Sequence, residues 1–219
     1  MGLLRSTIDF ILYTNLWISG SASALYIYSS FLLTGKLEFD FTALFIMVNC
    51  TWLYSLHRFI GLQKIKEIDK QSRFHKIDTL KTAIQVVGII SLFATAALGF
   101  TLTRQQLAVL VLPGIMSLLY VLPILTKGRR LRDLNYLKIF VISIVWAMLT
   151  VALPSAKQLI GLSSSTQSIL FLERFLFIFA ITLPFDIRDL SVDKLMEVKT
   201  IPAALGINCL LYTSDAADE

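Results

Sequence analysis

The sequence predicts an all-α fold, a polytopic transmembrane helical bundle. Three observations carry that expectation. Apolar residues fill 56% of the 219 positions and charged residues only 16%, where a soluble domain has about a quarter charged. Mean hydropathy is +0.72. The apolar residues also come in runs that match a bilayer's thickness, about 20 residues at the helical rise, and that exceed what buried core helices need.

Six stretches reach that length: roughly Ile8–Thr34, Phe41–Leu62, Leu80–Leu102, Gln105–Leu125, Leu137–Pro154 and Gln167–Phe185. A seventh begins near Thr200. None alternates apolar with polar, so strands are not expected. The first has a basic residue, Arg5, an apolar run and the small-residue segment Ser21-Ala22-Ser23-Ala24, which is the layout of a cleavable signal. Its apolarity continues to Leu33, which favours an uncleaved span. In the fourth, Pro113, Gly114 and Pro123 predict kinks, because proline releases backbone carbonyls that the bundle must satisfy.

The charges then orient the spans. Arg5 precedes the first. The second gap holds Arg58, Lys64, Lys66, Lys70, Arg73, Lys76 and Lys81. The fourth holds Lys127, Arg129, Arg130, Arg132 and Lys138, and the sixth Arg188, Lys194 and Lys199. The odd gaps hold one each, Lys36, Arg104 and Lys157. Sixteen basic residues therefore fall on one side and three on the other, which predicts a cytoplasmic N-terminus and cytoplasmic even-numbered loops. The second gap, Leu62–Thr79, is amphipathic enough to lie along the interface. A net charge of +5 does not point to nucleic acid, because these cations sit in short gaps between spans and not on a soluble face. The two cysteines, Cys50 and Cys209, build no disulfide framework and no zinc spacing.

The last eleven residues, Cys209 to Glu219, resemble the in-frame translation of a sequencing adaptor. The expected organisation is one transmembrane domain over 1–208, with further helices beyond it, and a non-native tail over 209–219.

Chemistry concentrates in Phe185-Asp186-Ile187-Arg188-Asp189-Leu190-Ser191-Val192-Asp193-Lys194. Asp186, Asp189 and Asp193 stand at i, i+3 and i+7, within about 60° of arc on a helix. Carboxylates that close repel unless cations neutralise them. Hard oxygen donors suit Mg²⁺, which is commonly held by one or two carboxylates and a substrate's phosphates. A solvated helix end balanced by Arg188 and Lys194 explains the spacing equally well.

Asp189-x-x-x-Asp193 followed by Lys199-Thr200-Ile201-Pro202-Ala203-Ala204-Leu205-Gly206 resembles the second Asp-rich motif of the UbiA family of intramembrane prenyltransferases. The stretch from Leu122-Pro123 through Lys127-Gly128-Arg129-Arg130 to Lys138 and Trp146 resembles that family's basic loop. The resemblance implies a cavity open to lipid, Mg²⁺ held on a polyprenyl diphosphate, and ionisation to an allylic cation that a hydrophobic acceptor, aromatic or lipid, captures. It implies metal ligands in Asp186, Asp189 and Asp193, with Asp189 and Asp193 catalytic. It implies diphosphate contacts in Arg129, Arg130 and Lys199, and a place in a bacterial inner membrane.

One segment departs from the family. Where a first Asp-rich motif belongs, this chain reads Asn49-Cys50-Thr51-Trp52-Leu53-Tyr54-Ser55-Leu56-His57-Arg58, with the Asn kept and every Asp gone. Three readings stay open. Arg58 binds diphosphate directly in place of one metal, with His57 and Tyr54 on the same helix face. The fold persists without transferase chemistry, as a structural or lipid-binding protein. Or the chain takes another phosphorylated lipid. Asn49, Tyr54 and His57 are expected to line the cavity. Glu173 and Arg174, charged inside the sixth span, are a lesser candidate.

Overall fold

A computed structural model describes residues 2–65, 79–125, 128–157, 164–190, 193 and 198–206. Every regular element among them is helical: α1 (Gly2–Tyr13), α2 (Leu16–Thr34), α3 (Phe41–Ile65), α4 (Lys81–Gly99), α5 (Arg104–Val121), α6 (Leu137–Ala147), α7 (Leu153–Lys157), α8 (Ser164–Arg188) and α9 (Ile201–Leu205). Among the described residues five helices are long and apolar enough to cross a membrane: α2, α4, α5, the continuous rod Leu137–Lys157, and Ser165–Arg188. The other expected span is α3. It has the length, 25 residues, but Asn49, Ser55, His57 and Arg58 dilute its apolarity. At the expected start of the seventh lies the five-residue α9, and the rest of that stretch falls outside the described residues. The proposed interfacial stretch falls largely outside the described residues, and the proposed adaptor tail wholly so.

The first expected span needs correcting. Ile8–Thr34 is not one helix, because Asn15 takes the left-handed conformation at φ 68° and splits α1 from α2. Asparagine enters that region at lower cost than other non-glycine residues, and its amide donates to Ser55 Oγ at 3.5 Å. A hydropathy average does not register one residue's backbone angle. At 12 residues, α1 is too short to span, while the 19 residues of α2 suffice.

Small and hydroxylated residues set the packing of α2, α3 and α4. Ser19, Ser23, Ser29 and Ser30 of α2 are buried, and Ser23 Oγ donates to the Ala43 carbonyl of α3 at 2.9 Å. Such residues let membrane helices approach closely. Gly88 of α4 does the same against α3: a Cβ added there would lie 2.9 Å from Ser55 Cβ. Buried Gln106 donates from Nε2 to Thr42 Oγ1 at 3.1 Å, fastening α5 to the start of α3. The core gathers Ala22, Tyr26, Ile46, Cys50, Leu149 and Leu153 with others. Ile90 and Phe93 of α4, Val111 of α5 and Leu172 of α8 remain exposed, a surface suited to lipid.

Between α6 and α7 the rod widens into a π-helical turn over Met148–Ala152. Pro154 accounts for it. In a regular helix its ring would press on the carbonyl four residues earlier, at Thr150, and a wide turn relieves that clash. Pro113, by contrast, lies inside α5 without ending it.

At the end of the bundle away from the basic loops, Asp40 joins three elements. It accepts from Tyr26 Oη at 3.0 Å and from the Ala43 N–H at 2.8 Å, and it pairs with Lys157. Burial alone would raise its pKa, but Lys157 and these donors hold it below the usual value.

Candidate functional site

The basic end of the bundle collects the chemistry-bearing residues. Asp186 occupies the last turn of α8, and Asp193 follows seven positions later, so both return to one side after about two turns. They meet Lys138, the second residue of α6. Its Nζ lies 2.9 Å from Asp186 Oδ1 and 3.2 Å from Asp193 Oδ2. The three are 1%, 4% and 7% exposed in the order Asp186, Asp193, Lys138. Burial raises the Asp193 pKa despite the opposing ammonium. The Asp186 Oδ1 contact is ionic and lacks hydrogen-bond geometry.

The facing wall comes from α3, α5 and the loop before α6. His57 Nε2 contacts Arg132 Nη1. Tyr120 stacks near His57, with ring centroids 6.0 Å apart, and the Arg132 guanidinium lies 5.7 Å from the same ring's centroid. Tyr120 stands within electrostatic reach of Arg132, Lys138, Asp186 and Asp193 together, and Arg132 acts on Asp193 in turn. His57 of the first stretch and Asp193 of the second are therefore both within reach of Arg132.

The other expected residues divide. Tyr54 meets Trp146 of α6 through its hydroxyl and lies near Tyr120. Asn49 lines a cavity of about 180 Å³ between α3, α5 and the π-helical turn, with Phe45, Trp52, Leu110, Pro113 and Leu149 among its walls. That volume is well below the ~300–1,000 Å³ of ordinary ligand pockets, so it holds part of a lipid tail at most. Arg58 lies within electrostatic reach of His57, but its guanidinium is spent on α1. Its Nη1 donates to the Tyr13 carbonyl and its Nη2 to Leu12 O at 3.3 Å, capping α1. Arg130 is buried in a bidentate pair with Asp133, at 3.0 and 2.9 Å, which draws the Asp133 pKa down against the effect of burial. Arg129 is exposed. Lys199 is exposed as well, and its backbone joins the loop: its N–H donates to Asn135 Oδ1 at 2.9 Å and its carbonyl accepts from Tyr136 at 2.8 Å. Glu173 and Arg174 sit elsewhere. Arg174 is 1% exposed and donates to the Leu25 carbonyl at 3.3 Å, holding α8 against α2.

The expected Mg²⁺ set does not fit as expected. Asp189 pairs with its neighbour, Oδ1 lying 3.0 Å from Arg188 Nε. Among the described residues no three His, Cys, Asp or Glu side chains gather around one point. Asp186 and Asp193 do converge, but on the Lys138 ammonium, which stands where a cation would.

Sequence reasoning missed Lys138, Arg132 and Tyr120 as site residues, counting the two cations only as loop charge. One signal was present. Lys138 is flanked by Leu137 and Ile139 at the start of an apolar run, and a charge inside a span is costly enough to suggest a partner.

No family model matches the chain, and no curated protein matches it in sequence. A solved structure does: a digeranylgeranylglyceryl phosphate synthase in membranes superposes with a TM-score of 0.56 at 16% identity, over 97% of this chain and 72% of that one. The chain has the UbiA-type fold. With its apolar helices, that makes it an integral membrane protein.

Proposed function

We propose that the chain is an integral membrane prenyltransferase that moves a polyprenyl group from a polyprenyl diphosphate to a hydrophobic acceptor, aromatic or lipid. One observation carries the reading: within a UbiA-type fold, Arg132 beside His57, and Lys138 between Asp186 and Asp193, gather near Tyr120. In the reaction the bond from the allylic carbon to the bridging oxygen breaks, and its electron pair leaves with the diphosphate. The carbon bonds to the acceptor, which gives up a proton. Diphosphate leaves only when its charge is neutralised. Arg132 and Lys138 supply positive charge inside the rim, and exposed Arg129 and Lys199 supply it at the entrance. Mg²⁺ is what the family resemblance adds, and Lys138 already occupies the two carboxylates that would bind it. The charge alternation supports a rim on the cytoplasmic face of a bacterial inner membrane.

The test incubates membranes carrying the full-length protein with labelled polyprenyl diphosphates of several lengths and an acceptor panel, with Mg²⁺ and with EDTA. Labelled product is expected, and Asp186→Ala and Asp193→Ala are each expected to cut its rate roughly a hundredfold. No diphosphate release at any chain length would leave the second reading, a UbiA-fold protein that binds lipid without transferring prenyl groups. The missing aspartates of Asn49–Arg58 and the use of Arg58 on α1 favour that alternative.

A further inference from the structure

The Lys138 ammonium is 2.9 and 3.2 Å from two carboxylates that belong to α8 and the segment after it, and all three groups are more than nine-tenths buried. Two acids this deep demand compensating charge. A single ammonium on a neighbouring helix provides one positive charge and touches both. The third carboxylate that would complete a metal's oxygen set, Asp189, is engaged with Arg188. Arg132, within electrostatic reach of Asp193, adds a second positive charge at the side of His57 and Tyr120.

We infer that Lys138 is the built-in cation of this site: Asp186 and Asp193 hold its ammonium in place of a divalent metal, and a phosphorylated lipid is gripped by the chain's own Lys138 and Arg132. The second half of this rests on the transferase reading above, and the first does not. A divalent ion entering between the acids would stand against an ammonium at contact distance, where like charges in a low-dielectric setting repel strongly. Removing the ammonium reverses the preference, because two uncompensated carboxylates are hard oxygen donors suited to Mg²⁺ or Mn²⁺. The lipid's phosphate oxygens then have two fixed cations to meet, Lys138 and Arg132, with no ion to recruit.

The test uses the full chain in lipid nanodiscs and Mn²⁺ alone, read by electron paramagnetic resonance. Wild-type protein is expected to bind no more Mn²⁺ than Asp186→Asn. Lys138→Met is expected to gain one bound Mn²⁺, lost again when Asp193→Asn is added. Wild-type protein holding one Mn²⁺ that Asp186→Asn abolishes overturns the inference, whether or not Lys138→Met folds. So does a Lys138→Met protein with a wild-type melting profile that gains none. A second arm titrates a polyprenyl thiodiphosphate, which resists ionisation, with and without EDTA. Affinities equal within about twofold support the grip by Lys138 and Arg132, and a loss of about tenfold or more in EDTA overturns it. An analogue bound under neither condition sinks the transferase reading and the lipid grip with it, while the Mn²⁺ arm still decides whether Lys138 replaces a metal.

Discussion

The Arg58 guanidinium donates to the Tyr13 carbonyl across 45 residues of sequence and lies over the Tyr13 ring, 5.6 Å from its centroid. The end of a helix leaves carbonyls unsatisfied and carries partial negative charge, and a cation there answers both. Arg58→Met is therefore expected to release α1. Hydrogen–deuterium exchange over 2–13 should accelerate, and stability should fall by about 1–2 kcal/mol. Arg58→Lys, which keeps the charge but not the fork, should fall between the two. Unchanged exchange in Arg58→Met would remove the cap from the account.

Gly88→Ala tests the closest helix–helix approach. The new methyl group would meet Ser55 Cβ at 2.9 Å. Overpacking of this kind costs about 1–3 kcal/mol, against about 1 kcal/mol gained from helix propensity. A net loss of thermal stability is expected in detergent, recovered when Ser55→Gly is added. A stabilised single variant would show that α3 and α4 separate readily.

Arg132→Met should impair the proposed chemistry more than the fold. Arg132 contacts His57 and faces Tyr120, and removing one cation from a site that stabilises a leaving anion costs about 10²–10³ in rate. Arg132→Lys should recover only part of it, because a point charge cannot span two partners as a planar fork does. Prenyl transfer rates measured beside melting curves separate the effects.

Acid should loosen the basic loop through Asp133. Its folded pKa is lowered, with burial opposing and Arg130 prevailing. A depressed carboxylate stabilises the fold fully above its unfolded value, about 3.9, and that contribution is lost as the pH falls through the lower folded value. Asp133→Asn should flatten this part of the stability profile between roughly pH 5 and pH 2. Asp133 is partly exposed, so the change should be modest, and an unaltered acid limb in the variant would count against it.

The helical architecture was legible because long apolar runs leave few alternatives in lipid. The break at Asn15 was not, since one left-handed residue barely alters hydropathy. Spacing foretold that Asp186 and Asp193 would share a face, and they do. The same arithmetic placed Asp189 with them, and helical hydrogen bonds do continue past Arg188, but the adjacent guanidinium pairs with that carboxylate. Arg58 and Arg130 looked like phosphate ligands because sequence shows a charge without its partner. Each has one at home, in the α1 carbonyls and in Asp133. The importance of Lys138 depended on a contact 48 and 55 positions away along the chain, which no local pattern encodes.

The wide turn at Met148–Ala152 makes one membrane-crossing rod behave as two independently phased pieces. Each residue turns an α-helix by about 100°, so deleting one residue of α7, beyond the wide turn, would swing the end of the rod by that angle while the inner piece kept its setting. Lys157 would then swing away from Asp40, yet Lys138 would still reach Asp186 and Asp193. Damage to the far latch and preservation of the charged rim are thus separable by a single codon, and a crosslinking pair at each end would read the two outcomes side by side.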